Sequence, residues 1–352
     1  MRNLAVLFLL FVLSATAPLA AQTKHEITIS GTSFLLNGEP FPYTGISFFN
    51  AIYNPAFNKS SLERRKWMEK FQRYGINVLR IYAQWTGSER NFVDAGPDSN
   101  LFYSDGRLRE ANLARVKEIL ADADALGMVI QLEVFHHIPF RAGSLGATEA
   151  ERAKSVERGL TLLTPELLQY RNVTFQIYSE MTFRTVDLVK VVKAIDPKRL
   201  VTNAPGGGSV LGSREENEAL DFLTPHTSRQ RQGRHWEIVP REIAYLIARY
   251  KKPVVDDEPA RNGTSKWGGP PDGEVTYPYD QILQIYQVMQ VGGYIIYHHD
   301  MFQSGYGTPS TPPNGIPDPE FNPYHRFVLE FIAQRERYRP YRDGTTAERV
   351  KH

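Results

Sequence analysis

Cysteine is absent from this 352-residue chain, so neither disulfides nor thiolate metal sites are available to it. Charge of one sign is not in excess either, since 41 Lys and Arg residues face 39 Asp and Glu residues and leave a formal net charge of +2. A nucleic-acid-binding surface normally appears as a clustered Lys/Arg stripe, so nucleic acid is not an expected partner. Without crosslinks, stability must come from a large buried core.

Long hydrophobic runs are confined to the N-terminus. Arg2 is followed by an apolar run from Leu4 to Leu13 and then by small residues ending in Ala20 and Ala21. This pattern predicts a secretory signal peptide over residues 1–21. The run is shorter than the roughly 20 apolar residues that cross a bilayer. We therefore expect a secreted or periplasmic protein that has no membrane partner after signal cleavage.

Residues 22–352 contain no repeat of fixed period and are predicted to form one catalytic domain. Short apolar or β-branched runs alternate with longer amphipathic stretches, as in parallel strands joined by crossover helices. Eight such pairs predict an α/β fold of the (β/α)8 TIM-barrel type. The eight predicted barrel strands span 43–48, 77–82, 128–135, 173–179, 200–203, 222–225, 253–257 and 293–298.

Helices and loops follow from periodicity and from glycine and proline. Helical periodicity is clearest over 62–74, 108–126, 182–195, 236–250 and 279–291, and Gly75 and Gly127 are predicted left-handed residues at two helix ends. The segment 26–36, followed by Asn37 and Gly38, predicts a β-hairpin with a type I′ turn that closes the bottom of the barrel. Two Gly/Pro-rich stretches, 263–275 and 305–321, predict long loops on the face where barrel enzymes carry their chemistry.

The alternation of side chains along a strand predicts which residues face the barrel interior. A carboxylate at the C-terminal end of a barrel strand indicates catalysis more often than structure, and Glu180 and Glu258 hold that position on strands four and seven. The complete predicted inward set is Val78, Arg80, Tyr82, Gln131, Glu133, Phe135, His137, Gln176, Tyr178, Glu180, Val254, Asp256 and Glu258, with Asp257 of the opposite parity predicted to be structural.

Two carboxyl groups facing each other across the mouth of a barrel suit the hydrolysis of a glycosidic bond. Hydrolysis with retention needs them roughly 5–5.5 Å apart, one protonated and one ionised. A fixed positive charge on Arg80 near Glu258 would keep that carboxylate ionised. The structural alternatives are a salt bridge from Glu180 to Arg184 and an acidic cluster at 256–258 that is solvated or binds a metal.

Two short motifs resemble those of clan A glycoside hydrolases, especially the cellulase-like family five and its relatives. The run FQIYSE ending in Glu180 resembles the strand-four motif whose last residue is the acid/base, and KPVVDDEP containing Glu258 resembles the strand-seven motif of the nucleophile. NGEPF from Asn37 with Gly45, NVLR ending in Arg80, the pair His136 and His137, and His226 fall at comparable places, so the likeness extends over nearly the whole mature chain.

The resemblance implies a retaining β-glycoside hydrolase that acts on a β-linked glucan or mannan by double displacement and needs no cofactor. Its implied catalytic residues are Glu180 and Glu258, and its implied substrate-binding residues are Arg80, His136, His137, Ser179, His226, Tyr297 and His298. Trp85, in a loop on the expected active face, is also predicted to bind substrate, because an aromatic ring stacks well on a sugar. The sequence departs from the family at three positions: Ser179 stands where the family usually has Asn, Ser228 where it often has Tyr, and Tyr297 where it usually has Trp.

Two other functions fit parts of the sequence. A metal-dependent barrel hydrolase or isomerase would draw its ligands from His136, His137, Asp256, Glu258, His298, His299 and Asp300, although no compact metal motif joins them. A carbohydrate-binding barrel without catalysis would be compatible with the three departures from the family pattern.

Overall fold

The fold is described from a computed structural model, which defines residues 23–85, 95–207, 210–228, 235–259, 277–299 and 314–337. The predicted signal peptide, the predicted loop 263–275, Asp300 and residues 305–313 of the second predicted loop lie outside these ranges. Within them, no helix combines the length and the hydropathy needed to cross a membrane.

Seven parallel strands form a curled sheet: β4 (Thr44–Phe48), β5 (Val78–Tyr82), β6 (Val129–His136), β7 (Val173–Ser179), β8 (Val201–Thr202), β9 (Val255–Asp256) and β10 (Tyr294–Tyr297). Their order across the sheet is β8-β7-β6-β5-β4-β10-β9. Its two edges are joined by residues 221–223, because Asp221 N donates to Val201 O at 2.9 Å and Leu223 N donates to Pro253 O at 3.0 Å. The sixth predicted strand is therefore present only as a single bridge between Leu223 and Val254. The predicted TIM-like barrel is confirmed.

Helices lie outside the sheet, and the five predicted from periodicity are all present. Gly75 and Gly127 have φ of +76° and +66°, as expected for left-handed residues at the ends of the helices over 61–73 and 110–125. The helix over 149–166, missing from the predicted set, begins with a capping box between Thr148 and Glu151. The helices of the described ranges are α1 (Ser61–Arg73), α2 (Glu110–Ala125), α3 (His137–Arg141), α4 (Glu149–Glu166), α5 (Thr185–Ile195), α6 (Arg214–Ala219), α7 (His235–Tyr250), α8 (Pro278–Gln290) and α9 (Pro323–Ala333).

An N-terminal antiparallel sheet closes the bottom of the barrel, as predicted. Strands β1 (Ile27–Ser30), β2 (Ser33–Leu36) and β3 (Glu39–Pro40) pair in that order. Asn37 and Gly38, with φ of 53° and 87°, form the turn between β2 and β3, and both positive values suit a type I′ turn. Phe34 projects from β2 with no exposed surface and stacks on Tyr43 with 4.2 Å between ring centroids. The C-terminal end of the barrel is therefore the open end at which a substrate could enter.

Candidate active site

Glu180 and Glu258 meet at the C-terminal end of the barrel. Glu180 directly follows β7, and Glu258 lies two residues after β9. One carboxylate oxygen of each, together with a ring nitrogen of His226, lies in a group whose atoms are all within 4.8 Å of one another. Their exposure differs, because the side chain of Glu180 is 17% exposed and that of Glu258 is 4% exposed. Glu180 thus faces the mouth while Glu258 lies deeper.

His226 lies between the two glutamates. Its Nδ1 is 3.2 Å from Oε1 of Glu180, and its Nε2 is 3.4 Å from Oε1 of Glu258. The ring is fully buried. A single imidazole therefore sets the spacing of both carboxylates and contacts each through a different nitrogen.

Arg80 of β5 is the cation beneath this pair. It is completely buried, its Nη1 donates to Oε1 of Glu258 at 2.9 Å, and its Nη2 donates to Oε2 of Glu133 at 2.7 Å. Its Nε is 3.6 Å from Oδ2 of Asp257. One guanidinium therefore contacts three buried carboxyl groups. In this group of four side chains, acidic groups outnumber the single cation; its members are Arg80, Glu133, Asp257 and Glu258.

The excess of acid shifts the protonation of the group. Burial opposes the charge of Arg80, but Asp257, Glu133 and Glu258 together hold its pKa well above the ordinary value. Burial raises the pKa of Glu133 well above its usual range, and the repulsion from Glu258 and Asp257 adds to this effect against the attraction of Arg80. Arg80 therefore stays charged and Glu133 favours its neutral form.

The predicted histidines line the same end of the barrel. His137 Nε2 is 3.5 Å from Oε2 of Glu180, and His298 Nε2 is 3.8 Å from Oε2 of Glu258. The His136 ring packs 4.5 Å from Trp85, which is itself buried against the site. Burial lowers the pKa of both His136 and His137, so both rings favour the neutral state.

The inward alternation shifts by one residue near the ends of β6 and β7. On β6, Glu133 faces Arg80, but the Phe135 ring lies against α4, where a Cβ added at Gly159 would be 3.3 Å from its Cζ. On β7, the inward residue at the end is Ser179, whose Oγ accepts from Arg80 Nη2 at 3.3 Å. The inward predictions for Phe135 and for Tyr178, which packs 6.0 Å from Phe140 of α3, are therefore wrong.

On β9 and β10 the side chains alternate regularly, but Val255, Tyr294 and Ile296 are the residues that face the inner cluster around Phe34 and Tyr43. Asp256 accepts from Gln284 of α8 at 2.7 Å, so it faces the helix layer, whereas Asp257 faces Arg80. The prediction for Tyr297 is also wrong, because its hydroxyl lies 2.9 Å from Nδ1 of His325 on α9. Alternation itself holds on these two strands, so the error lies in the parity chosen to face inward, and the inward prediction for Val254, which packs in the outer core, is wrong for the same reason.

Arg184 and Ser228, which the sequence analysis considered near the two glutamates, form ion pairs and hydrogen bonds with other residues. The guanidinium of Arg184 forms ion pairs with Glu157 at 3.1 Å and with Asp187 at 3.8 Å, so its charge is paired with carboxylates other than that of Glu180. Ser228 N donates to Oε2 of Glu242 at 2.8 Å, so Ser228 contacts α7. The salt-bridge alternative for Glu180 therefore has no support in the placement of Arg184.

Three residues beside Glu180 and Arg80 were not among the predicted site residues. Glu133 and Asp257 contact Arg80, and the sequence signal for Glu133 was its inward parity on β6. Gly207 follows β8, and a Cβ added there would lie 3.2 Å from Oε1 of Glu180. No local pattern marks Gly207, because its closeness to Glu180 depends on how two separate loops meet.

Glu180 itself has a left-handed backbone, with φ of 56°. Such a conformation costs a residue with a side chain about 1–3 kcal/mol and persists only where neighbouring structure holds it. This local strain coincides with the residue that the sequence motif singled out.

Searches of family models and of curated protein sequences find no match to the chain. Solved structures do resemble it. A protein of Bacteroides vulgatus ATCC 8482, described provisionally as a glycoside hydrolase, has a TM-score of 0.65 at 16% identity over 90% of this chain, which spans 62% of that protein. The endo-β-1,4-mannanase of Thermotoga petrophila has a TM-score of 0.60 at 16% identity, with 90% and 79% of the two chains covered.

A third likeness is to the endo-1,4-β-mannanase of Rhizomucor miehei, with a TM-score of 0.58 at 12% identity over 88% of this chain and 99% of that one. Identities this low establish the architecture only. The remote likeness to clan A glycoside hydrolases predicted from the motifs around Glu180 and Glu258 is thus confirmed at the level of fold: the chain has the barrel found in glycoside hydrolases.

Proposed function

We propose that the protein is a retaining β-glycoside hydrolase in which Glu258 is the nucleophile and Glu180 the general acid/base. The observation that carries this proposal is the closeness of the two carboxylates, whose nearest ligand oxygens lie within 4.8 Å. Retaining enzymes place their carboxyl groups about 5–5.5 Å apart, whereas inverting enzymes leave about 6.5–9.5 Å for a water. The separation therefore favours retention.

The environment of each carboxylate suits its proposed role. Glu258 is buried and accepts a hydrogen bond from Arg80, which favours the ionised form that a nucleophile needs. Glu180 is the more exposed of the two and lies beside His137 and His226, in a position open to a leaving group and to water. This asymmetry supports the proposal that the deeper residue attacks and the outer one transfers the proton.

The proposed reaction has two displacements. Glu258 forms a bond to the anomeric carbon while the glycosidic C–O bond breaks and Glu180 gives its proton to the departing oxygen. Glu180, now a carboxylate, takes a proton from a water whose oxygen attacks the anomeric carbon, and the bond to Glu258 breaks. The sugar leaves with its original configuration, and both glutamates return to their starting states.

We propose a β-linked oligo- or polysaccharide of the mannan or glucan type as substrate. Two of the similar structures are described as endo-mannanases, and this supports mannan as the first substrate to test. Export by means of the predicted signal peptide would bring the enzyme to such polymers. The test is incubation of the purified protein with β-mannans, β-glucans, xylans and aryl β-glycosides, with the anomeric form of the first product followed by NMR. Retained configuration supports the proposal, and inverted configuration or no turnover contradicts it.

A further inference from the structure

Asn203 holds both ends of the short backbone segment that carries Glu180. This residue directly follows β8 and is 1% exposed. Its Oδ1 accepts from Tyr178 N at 2.9 Å, and its Nδ2 donates to Met181 O at 3.1 Å. The two contacts lie on either side of Ser179 and Glu180, so one side-chain amide spans the segment in which Glu180 is left-handed.

The backbone of Ala204 reinforces the same segment. Its N–H donates to Tyr178 O at 3.1 Å, and its carbonyl accepts from Met181 N at 3.1 Å. Four hydrogen bonds from two adjacent residues therefore fix the distance between Tyr178 and Met181. Glu180 is the residue that must bend to fit within that distance, which accounts for its φ of 56°.

Glu216 of α6 sets the orientation of the Asn203 amide. Its Oε1 accepts from Asn203 Nδ2 at 2.6 Å, and both of its carboxylate oxygens lie 3.3 Å from Thr182 Oγ1. A carboxylate accepts hydrogen bonds from a neighbouring amide NH2, so it directs Nδ2 toward itself and leaves Oδ1 for the N–H of Tyr178. If the Asn203 amide were rotated by 180°, its Oδ1 would face a carboxylate oxygen of Glu216 and its NH2 would face the N–H of Tyr178, and both contacts would be repulsive.

We infer that Asn203 is a positioning residue for the acid/base: it clamps Tyr178 and Met181 and so holds Glu180 in its left-handed conformation, with its carboxylate directed at Glu258. The inference rests on the proposed function for its consequence in catalysis. Loss of the clamp releases Glu180 but leaves Glu258 and Arg80 in place. Proton donation to the leaving group should suffer while nucleophilic attack does not.

The test compares leaving groups in Asn203→Ala. A 2,4-dinitrophenolate leaves without protonation, whereas an unactivated alkyl or sugar leaving group needs the acid. We expect kcat/KM to fall about 100-fold on the unactivated β-glycoside and less than about threefold on the 2,4-dinitrophenyl glycoside of the same sugar. An equal fall on both substrates, or no fall on either, overturns the inference.

Asn172→Ala is the matched control. Asn172 is also fully buried, and its Nδ2 donates to Leu120 O at 3.1 Å and to Met128 O at 3.2 Å near the bottom of the barrel. The Asn172→Ala variant loses hydrogen bonds of a buried side-chain amide, as Asn203→Ala does, but far from Glu180. Any loss of kcat/KM should therefore be the same for both substrates. A selective loss on the unactivated substrate in this control would show that general destabilisation suffices.

A second variant and a second measurement cover the remaining outcomes. Asn203→Leu keeps the volume of the side chain and adds no charge beside Glu216 but loses both contacts, to Tyr178 N and to Met181 O, so it should show the same selectivity even if Asn203→Ala does not fold. Crystal structures of the parent and of the soluble variant should show a positive φ at Glu180 in the parent and a negative φ at Glu180 in the variant. If the parent hydrolyses no glycoside, the proposed function fails, and an unchanged φ of Glu180 separately overturns the clamp.

Discussion

Arg80 donates a 2.9 Å hydrogen bond to Glu258, and the side chain of neither residue is more than 4% exposed. They come from β5 and from the segment after β9, which lie apart in the ring of strands. A buried charge needs a partner, and here the partner of the proposed nucleophile also binds Glu133 and approaches Asp257. Electrostatics at this end of the barrel therefore depend on one guanidinium.

Replacing Glu258 with Gln should lower kcat by several powers of ten, because an amide does not form the covalent intermediate. The measurement is hydrolysis of an activated aryl β-glycoside, monitored by release of the phenol. Asp256→Asn is the control, since Asp256 faces Gln284 of α8 and its loss should leave the rate close to that of the parent. A Glu258→Gln variant that works at the parental rate would refute the nucleophile assignment.

Replacing Arg80 with Met should lower both activity and stability. Three buried carboxyl groups would lose their cation, so we expect the free energy of unfolding to fall by about 3–5 kcal/mol at neutral pH and kcat to fall about 100-fold or more. Urea unfolding and aryl glycoside kinetics measure the two effects. Arg64→Met, which breaks the 2.7 Å pair with Asp122 in the helix layer, should destabilise without changing kcat. Equal kcat in both variants would contradict the electrostatic role of Arg80.

Replacing Glu133 with Gln should flatten the dependence of stability on pH. Burial raises the pKa of Glu133 in the folded state above the ordinary 4.5, so the folded protein binds a proton that the unfolded chain has lost. This contribution is complete below pH 4.5 and is lost as pH rises through the raised pKa.

Urea unfolding between pH 5 and 8 tests this dependence, which amounts to up to about 1.4 kcal/mol per pH unit for one proton. Glu133→Gln should lose less stability over that interval than the parent. The exposed Glu110→Gln on α2 should follow the parent. Identical slopes in the parent and in Glu133→Gln would mean that Glu133 does not carry the proton.

Adding a methyl group at Gly207 should impair activity without unfolding the protein. The new Cβ would lie 3.2 Å from Oε1 of Glu180, and Gly207 is exposed and not left-handed, so the backbone accepts alanine. We expect kcat to fall about tenfold through displacement of the carboxylate. The control Gly96→Ala has nothing within 4 Å of the added carbon. Unchanged kcat in Gly207→Ala would show that Glu180 adjusts freely.

Treatment with EDTA separates glycoside hydrolysis by two carboxylates from metal-dependent hydrolysis. Glu180, His226 and Glu258 also form a possible metal ligand set, since their ligand atoms lie within 4.8 Å of one another. We expect dialysis against EDTA to leave the rate unchanged. Loss of activity that returns with Zn²⁺ would instead favour the metal-dependent alternative.

The sequence by itself determined the order of the elements and the two glutamates at the strand ends. Local rules suffice there: alternating apolar runs mark strands, Asn37 and Gly38 favour a type I′ turn, and Gly75 and Gly127 end helices. These rules depend on neighbours along the chain.

Only the tertiary structure decided which polar residues meet. Ser179 rather than Tyr178 faces inward because alternation shifts within β7, and Asp257 rather than Asp256 faces inward because β9 alternates with the other parity. A period-two sequence pattern records neither of these facts. The convergence of three carboxyl groups on Arg80 depends on ring closure, which brings together strands distant in sequence. Sequence spacing gives the order of the residues along each strand, whereas the face that each one presents and its partner across the barrel are fixed by the register of the closed sheet.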